Sequence, residues 1–223
     1  MRLATLSPRR SGRSETLSAP SSEPLWRANL LLVKTPSFIA IETERLILRQ
    51  FRQSDLASFM AYRNDPEIAR YQSWESISRR DAEKFIAEQS RHRPGIAGKW
   101  FQFAAEIKRD GILAGDCALL VLKSAPRIGE IGYTFARAYQ GIGLATEAAR
   151  AVVDYGFNSL GLNRIIATCD SRNLRSIALM ERLPMRREGH FIQNAWFKGE
   201  WCDEFQYAVL REEWMRIRAE RLQ

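Results

Sequence analysis

The stretch Glu130-Ile131-Gly132-Tyr133-Thr134-Phe135-Ala136-Arg137-Ala138-Tyr139-Gln140-Gly141-Ile142-Gly143-Leu144-Ala145-Thr146-Glu147-Ala148 limits the fold more than any other part of the chain. Residues 128–135 read as a strand, and Leu144, Ala148, Ala151, Val152 and Tyr155 follow the i, i+4, i+7, i+8, i+11 pattern of a helix. A strand therefore runs into a glycine turn, and the turn opens a helix. At such a helix start the backbone N–H groups from Gly141 to Ala145 lack partners and the macrodipole adds positive potential, so the turn can cradle phosphate oxygens. Gly141 and Gly143 let the backbone come close to a ligand. A tight turn with a purely structural purpose has the same sequence. The spacing departs from the dinucleotide pattern G-x-G-x-x-G, because position 146 is Thr, and the Gly-Lys-Ser/Thr of a P-loop is absent.

The rest of the chain reads as an α+β domain. Residues 1–40 are rich in Ser, Pro and Arg without a sustained apolar period, and are expected to be a disordered basic extension. Their composition overlaps that of an organelle transit peptide, and a start assigned too far upstream gives the same kind of tail. The domain is expected over 41–223, ending in a C-terminal helix. Leu46-Ile47-Leu48 opens a strand; Ser54-Asp55 is the expected cap of a helix through Leu56, Phe59 and Met60 that stops at Asn64-Asp65-Pro66. After a loop through Trp74, Ser78 and Asp81 form a carboxylate variant of the capping box for a second helix. Residues 100–107, 112–122 and 128–135 form an antiparallel meander. After the long helix come a short strand (164–169), a short helix (173–183) and a hairpin of 187–197 with 201–210.

With 45% hydrophobic residues the chain can bury a core without disulfides or metal. The longest apolar run, Ala118 to Leu122, is far short of the roughly 20 residues that cross a bilayer. The net charge of +8 is no sign of nucleic acid, since residues 1–40 hold six basic and two acidic residues, half of the excess. Arg79-Arg80 and Arg186-Arg187 read as solvated faces, although an anionic cofactor would need only a few such groups. Cys117, Cys169 and Cys202 include no C-x-x-C pair, which points to reduced thiols in a cytoplasmic protein. His92 and His190 have no second ligand at metal spacing, so no metal is expected, and nothing local supports a Cys-His hydrolase.

Gln140-x-x-Gly143-x-Ala145 resembles the Q/R-x-x-G-x-G/A signature of the GNAT acetyltransferases. The Glu-Ile-Gly-Tyr strand before it, Tyr139-Gln140-Gly141, and Asn173-x-x-Ser176 followed by Glu181-Arg182-Leu183 resemble the Rim-type branch, which modifies N-terminal amines of ribosomal proteins. The resemblance runs from about Glu42 to Leu210 and includes Glu44-Arg45-Leu46-Ile47-Leu48-Arg49. It implies a GNAT-like mixed, mostly antiparallel sheet of about seven strands with helices on both faces, splayed between the fourth and fifth strands. It also implies acetyl-coenzyme A as cosubstrate. The pyrophosphate would lie on Gln140, Gly141, Ile142, Gly143, Leu144, Ala145 and Thr146, and the pantetheine arm would lie along Tyr133, Thr134 and Phe135 and beside Asn173. An edge exposed by splaying has unpaired backbone groups that such an arm can satisfy.

Two departures stand out. The tyrosine that protonates the leaving thiolate in many GNAT enzymes is replaced by Met180, and the resemblance then points to Ser176 as the acid. Pro184 stands where a glycine usually closes that helix, so a different helix end is expected. Glu130 is the candidate base, against the alternatives of a surface carboxylate or of a solvent water serving an amine of pKa near 8. Asn173 also reads as a helix N-cap, and Ser176 as a hydroxyl bonding its own backbone. The aromatics Trp74, Trp100, Trp196 and Trp201 read as packing, with Trp74 and Trp196 the two that could border an acceptor. The expectation is direct acetyl transfer to a primary amine, a protein or peptide N-terminus, by a monomer or homodimer without membrane or specific nucleic-acid partners. The rivals are a small-amine acetyltransferase, for aminoglycosides or polyamines, and a non-catalytic acyl-CoA sensor.

Overall fold

The computed structural model describes residue 38 and residues 40–220; the basic extension expected over 1–40 falls mostly outside the described residues. The chain runs through β1 (Ala40–Glu42), β2 (Leu46–Arg49), α1 (Leu56–Arg63), α2 (Pro66–Ala69), α3 (Arg79–Gln89), β3 (Trp100–Ile107), β4 (Leu113–Val121) and β5 (Ile128–Phe135). It continues through α4 (Leu144–Asn158), β6 (Arg164–Asp170), α5 (Leu174–Arg182), β7 (Arg186–Phe197), β8 (Glu200–Leu210) and α6 (Arg211–Glu220). The strands form one eight-stranded sheet, β1-β2-β3-β4-β5-β6-β8-β7, in which only β5 and β6 pair in parallel. This is the expected α+β, mostly antiparallel architecture with one strand more than the seven expected. The extra strand is β1, three residues paired to β2, too short to show a period in the sequence.

Alternation along the strands divides the core into two faces. Cys117, Leu119, Ile131, Phe135 and Ile165 face α4, α5 and α6, where Val152, Phe157, Leu179, Met180 and Trp214 are buried against them. On the opposite face Phe51, Phe59, Ala104 and Leu113 pack with Ile86 of α3 and Leu56 of α1. Phe38 sets its ring edge-on against Phe101, Phe103 and Tyr155. No helix among the described residues is long and apolar enough to cross a membrane. Cys117, Cys169 and Cys202 are free and buried.

The expected helix starts hold in part. Ser78 accepts from Asp81 N–H and caps α3 as expected. Asp65 caps an additional short helix, α2, with Pro66 at its first position, so the Asn-Asp-Pro sequence ends one helix and starts another. The expected cap of α1 is corrected: Asp55 makes no side-chain cap bond there and turns inward. Its carboxylate accepts both Nη1 and Nη2 of Arg49 at 2.8 Å, with both side chains 5% exposed. Arg49 Nε donates to Glu106 at 2.6 Å, so β2, β3 and the start of α1 are tied through one guanidinium. A buried tertiary partner outweighs a local cap because Arg49 would otherwise be buried with part of its charge uncompensated.

Asp55→Ala is therefore expected to destabilise the fold by about 3 kcal/mol, the range for breaking a buried pair whose partner keeps one other carboxylate. Urea unfolding should show a lower midpoint with an unchanged slope.

Candidate active site

The glycine turn after β5 has the geometry of an anion cradle. Gly141 and Gly143 take φ of 78° and 86°, the left-handed region that glycine enters without strain, and Gly143 is the N-cap residue of α4. No side chain caps this helix, so the N–H groups at its start remain for a ligand. Ile142 is exposed, Leu144 anchors the helix in the core, and Ala145 and Thr146 are half-buried. Gln140 braces the turn: its Nε2 donates to Phe135 O at 2.7 Å and its Oε1 accepts from Arg175 Nη1 at 2.7 Å. Arg182 reaches Thr146 Oγ1 at 3.4 Å, and Arg45 donates from Nη1 to Ile142 O at 2.8 Å. The sequence reading quoted Arg45 and Arg182 only within the resemblance and placed none of these three arginines at the turn, because they come from α5 and from before β2 and converge only in the fold.

Strands β5 and β6 part after three residues. Their pairing covers Ile128↔Arg164, Gly129↔Ile165 and Glu130↔Ile166, although β5 continues to Phe135 and β6 to Asp170. Beyond Glu130 each strand is held by its other neighbour, β5 by β4 through Gly115↔Phe135 and β6 by β8 through Asp170↔Glu204. The register decides which backbone groups face the gap. Leu122 N–H bonds Ile128 O and Ala136 N–H bonds Ala114 O, so the even residues of β5 exchange bonds with β4. The odd residues Tyr133 and Phe135 turn their N–H groups into the gap. Thr134, expected to offer backbone to the arm, instead directs it to Asp116 of β4. Ile131, which the sequence reading did not single out, belongs to the gap-facing set by the same parity. Its N–H makes the last bond to β6, so the free edge starts at the Ile131 carbonyl and runs to Phe135, about 13 Å at about 3.3 Å per residue, ending at the glycine turn.

The candidate acid and base lie on opposite faces of β5. Tyr133 points to the α5 side, where its hydroxyl is 2.7 Å from Ser176 Oγ and donates to Ser176 O at 3.2 Å. Burial pushes the Tyr133 phenol above its ordinary value, a shift that the Ser176 hydrogen bond partly offsets. Asn173 Oδ1 accepts from Ser176 N–H at 3.2 Å and caps α5, the local role the sequence allows. Met180 is fully buried, so the residue that replaces the usual tyrosine belongs to the core. Burial pushes the Cys169 thiol up to about 11, which keeps it protonated at neutral pH.

The end of α5 keeps one bond of a glycine-type closure and lacks the other. Met185 N–H bonds Met180 O at 3.1 Å, the outer bond of a Schellman motif, with Pro184 just before Met185. Proline forfeits only the inner bond, because it has no N–H. Met180 and Met185 are both buried and supply the apolar contact that accompanies this motif.

Glu130 is half-buried on the other face, at the apex of the fork, and its carboxylate takes no hydrogen bond or ion pair among the described residues. Burial, and then the charge of Glu204 on β8, raise its carboxyl above the usual carboxylate value. The segment from Asp65 to Trp74 spans the mouth of the fork on this face. Asp65 accepts from Arg137 at the end of β5 at 2.6 Å, and the Tyr71 hydroxyl donates to Arg172 O beyond β6 at 3.4 Å. Lys198, in the β7–β8 turn, donates to Ala69 O at 2.7 Å and Trp74 O at 3.0 Å. Trp74 stacks on the buried Arg63 guanidinium at 3.7 Å, whereas Trp196 and Trp201 form an exposed edge-on pair at the hairpin tip. No group of three or more His, Cys, Asp or Glu side chains among the described residues could hold a metal ion.

The acetyltransferase (GNAT) domain family matches residues 45–186. The uncharacterized N-acetyltransferase YnaD of Bacillus subtilis strain 168 is 34% identical over 174 residues, covering 78% of this chain and 98% of that protein. The spermidine N(1)-acetyltransferase of Escherichia coli K12 is 26% identical over 173 residues, covering 75% and 87%. Among solved structures, a GNAT-family acetyltransferase from Bacillus anthracis superposes with a TM-score of 0.70 at 32% identity, covering 78% of this chain and all of that one. RimL, a ribosomal L7/L12 alpha-N-protein acetyltransferase in complex with coenzyme A, shares the fold at a TM-score of 0.66 and 18% identity, covering 77% and 97%. A glycine cradle, a forked parallel pair and a family match across the same residues lead to one conclusion: the chain is a GNAT-family N-acetyltransferase.

Proposed function

We propose that the chain transfers acetyl from acetyl-coenzyme A directly to a primary amine in a ternary complex, and that its acceptor is the N-terminal amine of a protein or peptide, as in the Rim-type branch. The observation that carries this reading is the placement of Glu130. It is an unpaired carboxylate at the apex of the fork, on the face opposite the Tyr133–Ser176 pair. When bound, acetyl-coenzyme A supplies a thioester. The chain's own groups do the rest. The N–H groups of the cradle hold the phosphates, and Gly141 and Gly143 keep the approach clear of side chains. Phe135 N–H, nearer the cradle, meets an amide oxygen of the pantetheine arm, and Tyr133 N–H polarises the carbonyl under attack. Glu130 takes the proton of the amine arriving beneath the Asp65–Trp74 segment, and Ser176 returns a proton to the departing sulfur on the far face.

An α-amine of pKa near 8 suits this base better than an alkyl amine above 10, because a raised carboxyl closes more of the gap to the former. Glu204 supports a second reading, a small polycationic amine. It places another buried carboxylate on the same sheet face, where it would attract a second positive charge.

Release of free thiol should be measured with a free peptide, the same peptide blocked at its N-terminus, spermidine and an aminoglycoside. Turnover is expected with the free peptide alone; spermidine turnover without peptide turnover would establish the second reading. Gly143→Asp adds a side chain and a negative charge at the cradle, and thermal stabilisation by acetyl-coenzyme A is expected to vanish while the apo fold survives. Glu130→Gln should lower the rate most at low pH. The wild-type rate should itself fall as pH drops through the raised Glu130 value, and the variant should recover as pH passes about 8 and the acceptor becomes neutral unaided. Ser176→Ala is expected to reduce kcat by about 10- to 1000-fold with cofactor affinity intact.

A further inference from the structure

The Glu44-Arg45-Leu46 segment has no part in the chemistry above, yet it touches the cradle from across the sheet. Arg45 Nη1 donates to Ile142 O at 2.8 Å, 97 residues away in sequence. Its other edge holds Glu147, the acid in the first turn of α4: Nε donates to Oε2 at 2.7 Å and the Arg45 backbone N–H to Oε1 at 2.8 Å. The Thr43 hydroxyl adds a third bond to Oε1 at 2.6 Å. Both carboxylate oxygens are thus engaged on the side of β2. Burial alone would raise the Glu147 carboxyl, but these partners hold it below its usual range.

Resting on the reading that this turn binds the phosphates of acetyl-coenzyme A, we propose that Arg45 is a positioning residue for the phosphate cradle, acting through both Glu147 and the Ile142 carbonyl. Two physical arguments carry it. A carboxylate in the first turn of a helix competes for the positive potential that a phosphate would use, and repels that phosphate, unless a cation neutralises it. Arg45 is that cation. The second argument concerns the peptide plane between Ile142 and Gly143. In a trans peptide the C=O and the next N–H point in opposite directions, so fixing Ile142 O on the Arg45 side aims Gly143 N–H the other way. With Gly141 before Ile142 and Gly143 after it, both at positive φ, that plane has little steric resistance to turning over. The guanidinium packs close enough that a Cβ at Gly143 would meet Nη2 at 3.2 Å. A planar fork can hold the carboxylate and the carbonyl together, which a lysine ammonium cannot do with the same geometry.

The test compares two acetyl donors, acetyl-coenzyme A and S-acetylpantetheine, which carries the thioester without the phosphates. Arg45→Ala is expected to raise KM for acetyl-coenzyme A about tenfold, the scale of one charge-assisted hydrogen bond, with kcat and the acceptor KM unchanged. With S-acetylpantetheine its kcat/KM should equal that of the wild type. Arg45→Lys should fall between, and Arg45→Ala combined with Glu147→Gln should recover part of the loss. Equal losses with both donors, or a double variant as weak as Arg45→Ala, would overturn the proposal. Gly143→Asp separates the two levels of the argument. If it binds acetyl-coenzyme A like the wild type, the cradle reading fails; if it loses binding while Arg45→Ala does not, the cradle stands and only the role of Arg45 fails.

Discussion

The parting of β5 from β6 after Glu130 is the constraint on which the rest of the site depends. Each strand keeps seven register pairs with its outer neighbour and only three with the other, so the sheet is firm on both sides of a local opening. Paired strands satisfy each other's backbone groups; here a few are left without a partner strand along the opening. That deficit is what an extended amide-bearing arm can fill. The same opening lets a group on one face of β5 and a group on the other reach a common point. An acid and a base on an unbroken sheet would be separated by the sheet itself.

Charge around the fork is arranged so that most of it is already compensated. Arg49 meets Asp55 and Glu106, Arg63 lies beside Asp116 under Trp74, and Arg172 meets Asp170 and Glu200. These pairs hold elements together and leave little charge to act on a ligand. Glu130, which no group pairs among the described residues, stands apart from them, and so do the N–H groups at the start of α4. Polar groups that a fold leaves unsatisfied are where a ligand can gain most, because an unmet group in a partly dry site is costly.

The sequence carried the local parts of this structure well. The periodicity of α4, the glycines that open it, the Ser78 cap and the meander of β3 to β5 all depend on neighbours within a few residues, and each is where the pattern put it. Asn173 was readable as a cap for the same reason. The inward turn of Asp55 was not, because its partner Arg49 is recruited by burial that no local pattern records. At the end of α5 the local signal and the packing act together: Pro184 removes one closing bond, while the buried Met180 and Met185 keep the other.

The pairing of Tyr133 with Ser176, 43 residues apart, shows where the boundary falls. By itself the sequence determined that a strand meets a phosphate-sized turn and that α5 starts on Asn173, since φ preferences and helix-end chemistry are properties of a short peptide. Only the tertiary structure decided which residues of β5 face the gap, because that parity is set by the register against β4. It alone also decided that the candidate acid and base lie on opposite faces, and that Arg45, Arg175 and Arg182 gather at one turn, since long side chains from separate elements converge only after the sheet has brought their anchors together.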